Sequence, residues 1–176
     1  MRSVSLAEGI VLRAYDPSDA GQLLVAVDGA RDRLARWMPW VPFATTVQGF
    51  EDFIRVAIRQ DRDGSGLHRG LFDSERLIGT VGASIGLLNF DEADVGYWLA
   101  ESHEGHGLAS LATGHLIERL FGERDMHRIT MLRRYRQPAQ AHPGRTPRLY
   151  FRRDLARVTL AGRAPRGRSV VLTASG

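Results

Sequence analysis

Cysteine and lysine are both absent from this chain of 176 residues. Without cysteine there is no disulfide framework, no cysteine metal site and no cysteine nucleophile. Long apolar runs are also missing: no stretch is long enough to span a membrane, and the first residues lack the apolar core of a secretory signal. We therefore expect a cytoplasmic protein without a membrane partner, folded as a single domain.

The absence of lysine makes all 24 basic residues arginine, and these are distributed unevenly. Residues 1–125 contain 12 arginines against 19 acidic residues, whereas residues 126–176 contain 12 arginines against one acid, Asp154. A basic block of this kind can indicate binding to RNA or to the ribosome. It contains no recognisable RNA-binding motif, so its charge supports only non-specific attraction to phosphates. Nucleic acid is therefore not the partner that we expect.

Hydrophobic periodicity predicts an α+β order of elements. A strand over Gly9–Tyr15 is followed by two helices, the second over Thr46–Arg62. Three strands then form an antiparallel meander, and a glycine-rich turn, a helix and a further strand complete the pattern. The faces expected to be buried on the two longer helices are formed by Phe50, Phe53, Ile54 and Ala57, and by Leu108, Leu111, Ala112, Leu116 and Leu120.

The turn before the last helix contains two patterns that point to different chemistry. Residues His103 to His106 read HEGH, which is close to the zinc-protease signature HExxH. That signature needs its histidines at i and i+4 of a helix, whereas these lie at i and i+3 with Gly105 between them. We therefore expect no metal site. Gly105 and Gly107 instead predict a tight turn into a helix N-terminus, where unpaired N–H groups and a partial positive charge suit a phosphate.

Two segments resemble the GCN5-related N-acetyltransferase (GNAT) superfamily. Residues 94–112, DVGYWLAESHEGHGLASLA, are similar to its acetyl-CoA-binding segment, in which an acidic residue, an apolar residue and Gly-Tyr-Trp precede a glycine-rich turn. The segment WMPW, residues 37–40, is similar to a motif of the branch that includes the ribosomal-protein N-terminal acetyltransferases RimJ and RimL. The resemblance extends over about residues 9–131 and implies a GNAT-like mixed, mostly antiparallel sheet flanked by helices.

By resemblance, residues 1–131 form an N-acetyltransferase domain that binds acetyl-CoA as co-substrate within residues 94–122. Direct attack would move the acetyl group to a primary amine, on a protein N-terminus or on a small molecule. A homodimer is a further possibility that the family allows. The positions implied in cofactor binding are the backbone of Trp98, Leu99 and Ala100 beside the pantetheine arm, and Gly105, His106, Gly107, Leu108 and Ala109 around the pyrophosphate.

The resemblance also implies candidates for the chemistry and for the acceptor pocket. Asp94 is the candidate base or amine anchor, with Glu92 as a nearby substitute. The alternative is an exposed carboxylate at a strand edge, because a carboxylate acts as a base at neutral pH only where burial raises its pKa. Trp37 and Trp40 are expected to line the acceptor pocket, although tryptophans in a proline-rich loop can equally fill a core. His68, like the other isolated histidines, has no partner motif nearby.

The glycine-rich turn departs from the family at two positions. Glu104 stands where the family usually has Gln, Arg or a bulky residue, and His106 stands where it has a basic residue. A carboxylate repels a pyrophosphate unless it points away, and an ordinary imidazole is mostly neutral at pH 7. We therefore expect cofactor binding weaker than is usual for the family, carried mainly by backbone amides.

The resemblance stops after the strand HRITML. The arginine-rich tail, residues 132–176, has no asparagine and lacks the short helix and final strands that the family has there. One choice of GC-rich codons for the tail from Leu132, read one base later, encodes Cys-Gly-Gly-Ile-Gly-Asn-Pro, which is closer to the family segment. This suggests a shifted reading frame near residues 131–133. The alternatives are a genuine basic extension that binds RNA or ribosomes, and a catalytically impaired remnant that still binds acyl-CoA.

Overall fold

The computed structural model describes residues 3–86, 92–134 and 169–175, with side chains as far as Met131. No helix within these ranges is long and apolar enough to cross a membrane. The described strands are β1 Val4–Ala7, β2 Ile10–Arg13, β3 Gly66–Asp73, β4 Arg76–Ile85, β5 Glu92–Leu99, β6 Arg128–Arg134 and β7 Ser169–Ser175. The described α-helices are α1 Ala20–Asp28, α2 Arg31–Ala35, α3 Val47–Asp63 and α4 Leu108–Glu123.

All the described strands form one sheet, in which the spatial order follows the order along the chain. Strands β1 to β5 pair with their neighbours in antiparallel fashion, whereas β6 runs parallel to β5 and β7 runs parallel to β6. The predicted mixed, mostly antiparallel sheet flanked by helices is therefore confirmed. The tail predicted as residues 132–176 lies largely outside the described residues, which include only the end of β6 and the backbone of β7.

The first strand is shorter than predicted and has a partner that the sequence pattern did not reveal. The prediction of one strand over Gly9–Tyr15 was wrong at its ends, because β2 covers only Ile10–Arg13. Strand β1 precedes it, and Gly9 turns the chain between the two strands with φ +72°. Strand β1 has only four residues and half of them are exposed, so it carries little periodic signal.

Helix α3 begins and ends as its sequence predicts. The Thr46 hydroxyl accepts a hydrogen bond from the Gly49 N–H at 3.1 Å, and Gly64 follows the helix in the left-handed conformation, φ +87°. Three of the four residues expected to be buried, Phe50, Ile54 and Ala57, are buried. The expectation for Phe53 was wrong, because 39% of this residue is exposed.

The sheet has an apolar cluster on each face. One cluster joins α4 to the inner strands and includes Val95, Leu99, Leu116 and Ile117. The other joins α1, α2 and α3 to the opposite face and includes Trp98. Leu111 of α4 was expected to be buried but is 48% exposed, since the buried stripe of the helix runs through Ala112 and Thr113 instead.

Strands β5 and β6 pair over only part of their length. Their parallel register runs from Glu92 opposite Arg128 to Val95 opposite Met131 and then ends, although β6 continues to Arg134. Residues Gly96–Leu99 therefore pair with β4 but not with β6. The two strands diverge at the end of β5 that leads into the glycine-rich turn.

Candidate functional site

The glycine-rich turn leads into the N-terminus of α4 with an open backbone. Gly105 and Gly107 have φ of +83° and +75°, values that residues other than glycine rarely adopt. A Cβ built on either glycine meets no atom within 4 Å, so the backbone borders open space. Gly107 is the N-cap of α4 and no side chain caps the helix there. The first-turn N–H groups, which have no carbonyl partner within the helix, and the helix dipole make this end of α4 suitable for a phosphate.

Glu104, the carboxylate expected to disfavour a phosphate, forms an ion pair with Arg33 of α2. The Arg33 side chain is 34% exposed and the Glu104 side chain 40% exposed, so solvent screens the ion pair and its stabilisation is small. The same guanidinium donates a second hydrogen bond to the Leu99 carbonyl oxygen at 2.7 Å. Arg33 therefore holds the carboxylate of Glu104 and offsets its negative charge beside the turn.

The end of β5 supplies the backbone positions that the family resemblance assigns to the cofactor. The Ala100 N–H donates to the Ile78 carbonyl at 2.7 Å. Leu99, one residue earlier, therefore directs its backbone groups away from β4. Its carbonyl oxygen accepts the hydrogen bond from Arg33, so its N–H is the group left for a ligand where β5 and β6 diverge. The Trp98 side chain is buried in the α1–α3 cluster, as its core interpretation predicts, and its backbone groups point toward Thr80 of β4, so Trp98 offers no main-chain group to a ligand beside β6. Leu108 is buried as well and anchors the start of α4.

The two candidate acids lie on the face of β5 opposite α4. Ala93 and Val95 belong to the cluster under α4, so the alternation of a strand directs Glu92 and Asp94 to the other face, where α1–α3 pack. Asp94 is half-buried between Ser84 of β4 and Thr130 of β6. The Glu92 carboxylate is 3.5 Å from the Arg128 guanidinium and is partly neutralised by it. Asp94 is therefore the less constrained of the two acids.

Gly96 creates a notch on this face between Asp94 and Trp98. It is exposed within a strand, and a Cβ built on it meets no atom within 4 Å. A side chain at this position would fill space that faces the α1–α3 side of the sheet. The notch and Asp94 together form a place where a small polar group could bind beside the diverging strands.

His68 lies in the same cross-strand row as this notch, two strands away from Gly96, although the sequence showed no partner for it. It pairs with Gly82 of β4, and Gly82 pairs with Gly96. Its Nε2 atom is 3.0 Å from Oε1 of Gln60 on α3, and its ring meets Phe53 edge to face with centroids 5.9 Å apart. Burial, and to a lesser degree the charge of Arg69, lower the pKa of His68. The sequence does contain Gly82 and Gly96, but only the strand register shows that they lie in one row with His68.

The two tryptophans of the WMPW segment lie near the surface. Trp37 is half-buried and Trp40 is 43% exposed, and neither belongs to an apolar cluster. Leu34 and Val41, which are nearly fully buried, fill the core beneath this segment instead. Both tryptophans are therefore available to a ligand on the α1–α3 side, and their role in an acceptor pocket stays a prediction.

The HEGH histidines do not share a helix. His103 ends a 3-10 turn, Glu101–His103, and its imidazole bonds to Ser102 and to Asp73 at 2.9 and 3.2 Å. His106 is exposed in the turn that follows. Among residues 3–86 and 92–134, no three His, Asp or Glu side chains are grouped so that they could hold a metal ion.

Comparison with known proteins identifies the family. The profile of the family described as "Acetyltransferase (GNAT) domain" matches residues 10–136, most of the chain. The chain belongs to the GNAT acetyltransferase family. The chain is thus an N-acetyltransferase by its family. The family match ends at residue 136, close to the end of β6.

Individual relatives support the same family and its RimJ/RimL-like branch. The chain is 29% identical over 136 residues to "Putative ribosomal N-acetyltransferase YdaF" of Bacillus subtilis (strain 168), covering 74% of this chain and 72% of the relative. A crystal structure of a "Probable acetyltransferase" is 26% identical with a TM-score of 0.65, covering 73% of this chain and 72% of the other. The ribosomal L7/L12 α-N-protein acetyltransferase RimL in complex with coenzyme A has the same fold at 22% identity, with a TM-score of 0.66 and coverage of 73% and 72%.

Proposed function

We propose that this N-acetyltransferase uses acetyl-CoA to acetylate a primary amine on the N-terminus of a protein. The observation that carries the proposal is the open, uncapped N-terminus of α4 beside the diverging ends of β5 and β6. The first feature suits a pyrophosphate, and the second leaves main-chain groups for an extended pantetheine arm. The similar RimL structure contains coenzyme A, which supports the same ligand here.

The residues present fit acetyl-CoA. Open space lies where a Cβ of Gly105 or Gly107 would project, and Arg33 offsets the charge of Glu104. When bound, acetyl-CoA would supply a thioester whose carbonyl carbon is open to attack by an amine. The α4 N-terminus would hold the phosphates, and the Leu99 N–H would face the arm, since the Leu99 carbonyl is bonded to Arg33. Asp94, on the α1–α3 face beside the Gly96 notch, would attract the ammonium form of the acceptor.

A protein N-terminus is the proposed acceptor for two reasons. YdaF and RimL, both similar to this chain, are named as acetyltransferases of ribosomal proteins. The α1–α3 side also exposes aromatic side chains near the WMPW segment, with Trp40 43% and Phe43 86% exposed. Exposed aromatic side chains of this kind provide contact area for a peptide. A small-molecule amine remains the alternative acceptor and is included in the test.

The test combines a binding and a transfer measurement. Acetyl-CoA at a hundredfold over its dissociation constant should stabilise the folded chain by about 2.7 kcal/mol in a thermal-unfolding scan. Pantetheine lacks the pyrophosphate, so at the same concentration it should raise the unfolding temperature much less. Thiol release should then depend on a peptide with a free N-terminus and stop when that N-terminus is blocked. An equal rise in unfolding temperature with both ligands would contradict the proposal. So would thiol release that depends on added small amines but not on the peptide.

A further inference from the structure

One cross-strand row of the sheet brings an imidazole to the acceptor side of the site. His68, Gly82 and Gly96 lie opposite one another on β3, β4 and β5. A Cβ on Gly82 would lie 2.4 Å from Nδ1 of His68, so the imidazole ring occupies the space over Gly82. Neighbouring strands are about 4.8 Å apart, so a ring over the middle strand reaches toward the notch at Gly96.

The two nitrogens of His68 differ in their surroundings. Nε2 contacts the Gln60 amide oxygen at 3.0 Å, and an amide oxygen can only accept, so Nε2 carries the proton. Nδ1 then bears the lone pair, and it has no hydrogen bond to any described residue. The fully buried side-chain polar atoms that lack a partner within the described residues are Arg33 Nε and Thr113 Oγ1. Nδ1 is not among them, so solvent or a ligand can reach it.

We propose that His68 accepts the proton of the substrate ammonium at Nδ1, directly or through one water. This inference rests on the proposed function and adds a catalytic residue to it. The N–H bond of the ammonium breaks and an Nδ1–H bond forms, which leaves the amine nitrogen with its lone pair and His68 as an imidazolium. Asp94, on the same face two residues along β5 from Gly96, then acts as the amine anchor rather than as the base. The proton on His68 returns to water before the next turnover.

The surroundings of His68 keep it neutral and oriented. Burial lowers its pKa, and the neighbouring Arg69 acts in the same direction, while Asp61 of α3 acts against them. Asp61 is itself paired with Arg69 at 3.1 Å and with Arg124 at 3.5 Å, so its charge is shared. Gln60 fixes the tautomer and Phe53 packs against the ring. A neutral imidazole with a fixed, free lone pair is what a general base at neutral pH requires.

The experiment compares His68→Gln with His127→Gln, which changes an exposed histidine outside the site. We expect His68→Gln to retain the thermal shift with acetyl-CoA, to lower kcat for a free-N-terminus peptide by about 100-fold or more, and to lose the acidic limb of the pH–rate profile. His127→Gln should keep the wild-type profile. If His68→Gln does not fold, His68→Ala with added imidazole should recover part of kcat. Wild-type kcat and an unchanged acidic limb in His68→Gln would overturn the proposal.

Two measurements on the protein without substrate test the same residue. Nitrogen-15 NMR of the imidazole should show a protonated Nε2 and a bare Nδ1; a protonated Nδ1 would overturn the base role even if no acceptor is known. Because the pKa of His68 is lowered in the fold, its contribution to stability is present above about pH 6.5 and is lost as pH falls through the folded value. This fall in the free energy of unfolding with falling pH should be absent in His68→Gln. A wild-type chain that does not bind acetyl-CoA would instead refute the proposed function.

Discussion

Among single residues, Gly107 contributes through its backbone. Its φ of +75° starts α4 in a conformation that any side chain would strain, and the space beside its Cα is open. Gly114, within α4, also has open space for a Cβ but has ordinary helical geometry. The two glycines therefore separate the effect of backbone conformation from the effect of added bulk.

Alanine at these two positions should act in opposite directions. Gly107→Ala should lower the free energy of unfolding by about 1–2 kcal/mol and weaken acetyl-CoA binding, because alanine is strained in the left-handed region and its methyl group enters the open space. Gly114→Ala should raise stability by about 0.5–1 kcal/mol and leave binding unchanged. Denaturant unfolding and calorimetric titration measure the two quantities. Tight binding by Gly107→Ala would show that the phosphates bind elsewhere.

At the scale of elements, Arg33 links α2 to two parts of the site. Its guanidinium bonds to Glu104 in the turn and to the Leu99 carbonyl at the end of β5. The helix that carries it has only five residues, so these contacts also hold α2 in position. Glu104 departs from the family pattern of the turn, and its negative charge is offset by Arg33 on another element.

Removal of Arg33 should expose the charge of Glu104 to the cofactor. We expect Arg33→Ala to raise the Kd for acetyl-CoA about two- to fivefold at low salt, with a smaller effect at high salt. Glu104→Gln should tighten binding, and the double variant should return close to wild type. Arg36→Ala, an exposed arginine at the end of the same helix, is the matched control. An unchanged Kd for acetyl-CoA in both single variants would show that the pair does not act on the cofactor.

The elements also show which features the sequence could predict. Helix α3 was predictable because Thr46, Gly64 and the spacing of its apolar residues act locally. The glycine turn before α4 was predictable from the motif that contains it. The exposure of Phe53 and the place of His68 were not, because both depend on which strands and helices meet. Arg33 could not be assigned either, since it is 71 residues from the carboxylate that it pairs with.

For the whole molecule, the family match and the charge distribution change at about the same point. The GNAT profile matches as far as residue 136, and the basic, acid-poor composition begins at residue 126. The shifted reading frame remains our hypothesis for this coincidence.

The nucleotide sequence tests that hypothesis. Read one base later from the codons near residues 131–133, it should encode an asparagine soon after β6, followed by a more acidic segment that includes a helix. A chain expressed from the restored frame should unfold at a higher temperature and more cooperatively than the present one, as measured by calorimetry. A stop codon soon after the shift, or no gain in stability, would contradict the hypothesis and favour a genuine basic extension.

The two faces of β5 have a consequence for how the protein tolerates mutation. Ala93, Val95 and Leu99 pack under α4, whereas Asp94 and Gly96 face the acceptor side. Substitutions at the odd-numbered positions should reduce the amount of folded protein in a cell, and substitutions at the two even-numbered positions should leave abundance intact while activity falls. A survey of all single variants from Ala93 to Gly96 would then show a sensitivity that alternates between abundance and turnover, whereas substitutions at the buried Trp98 should reduce abundance.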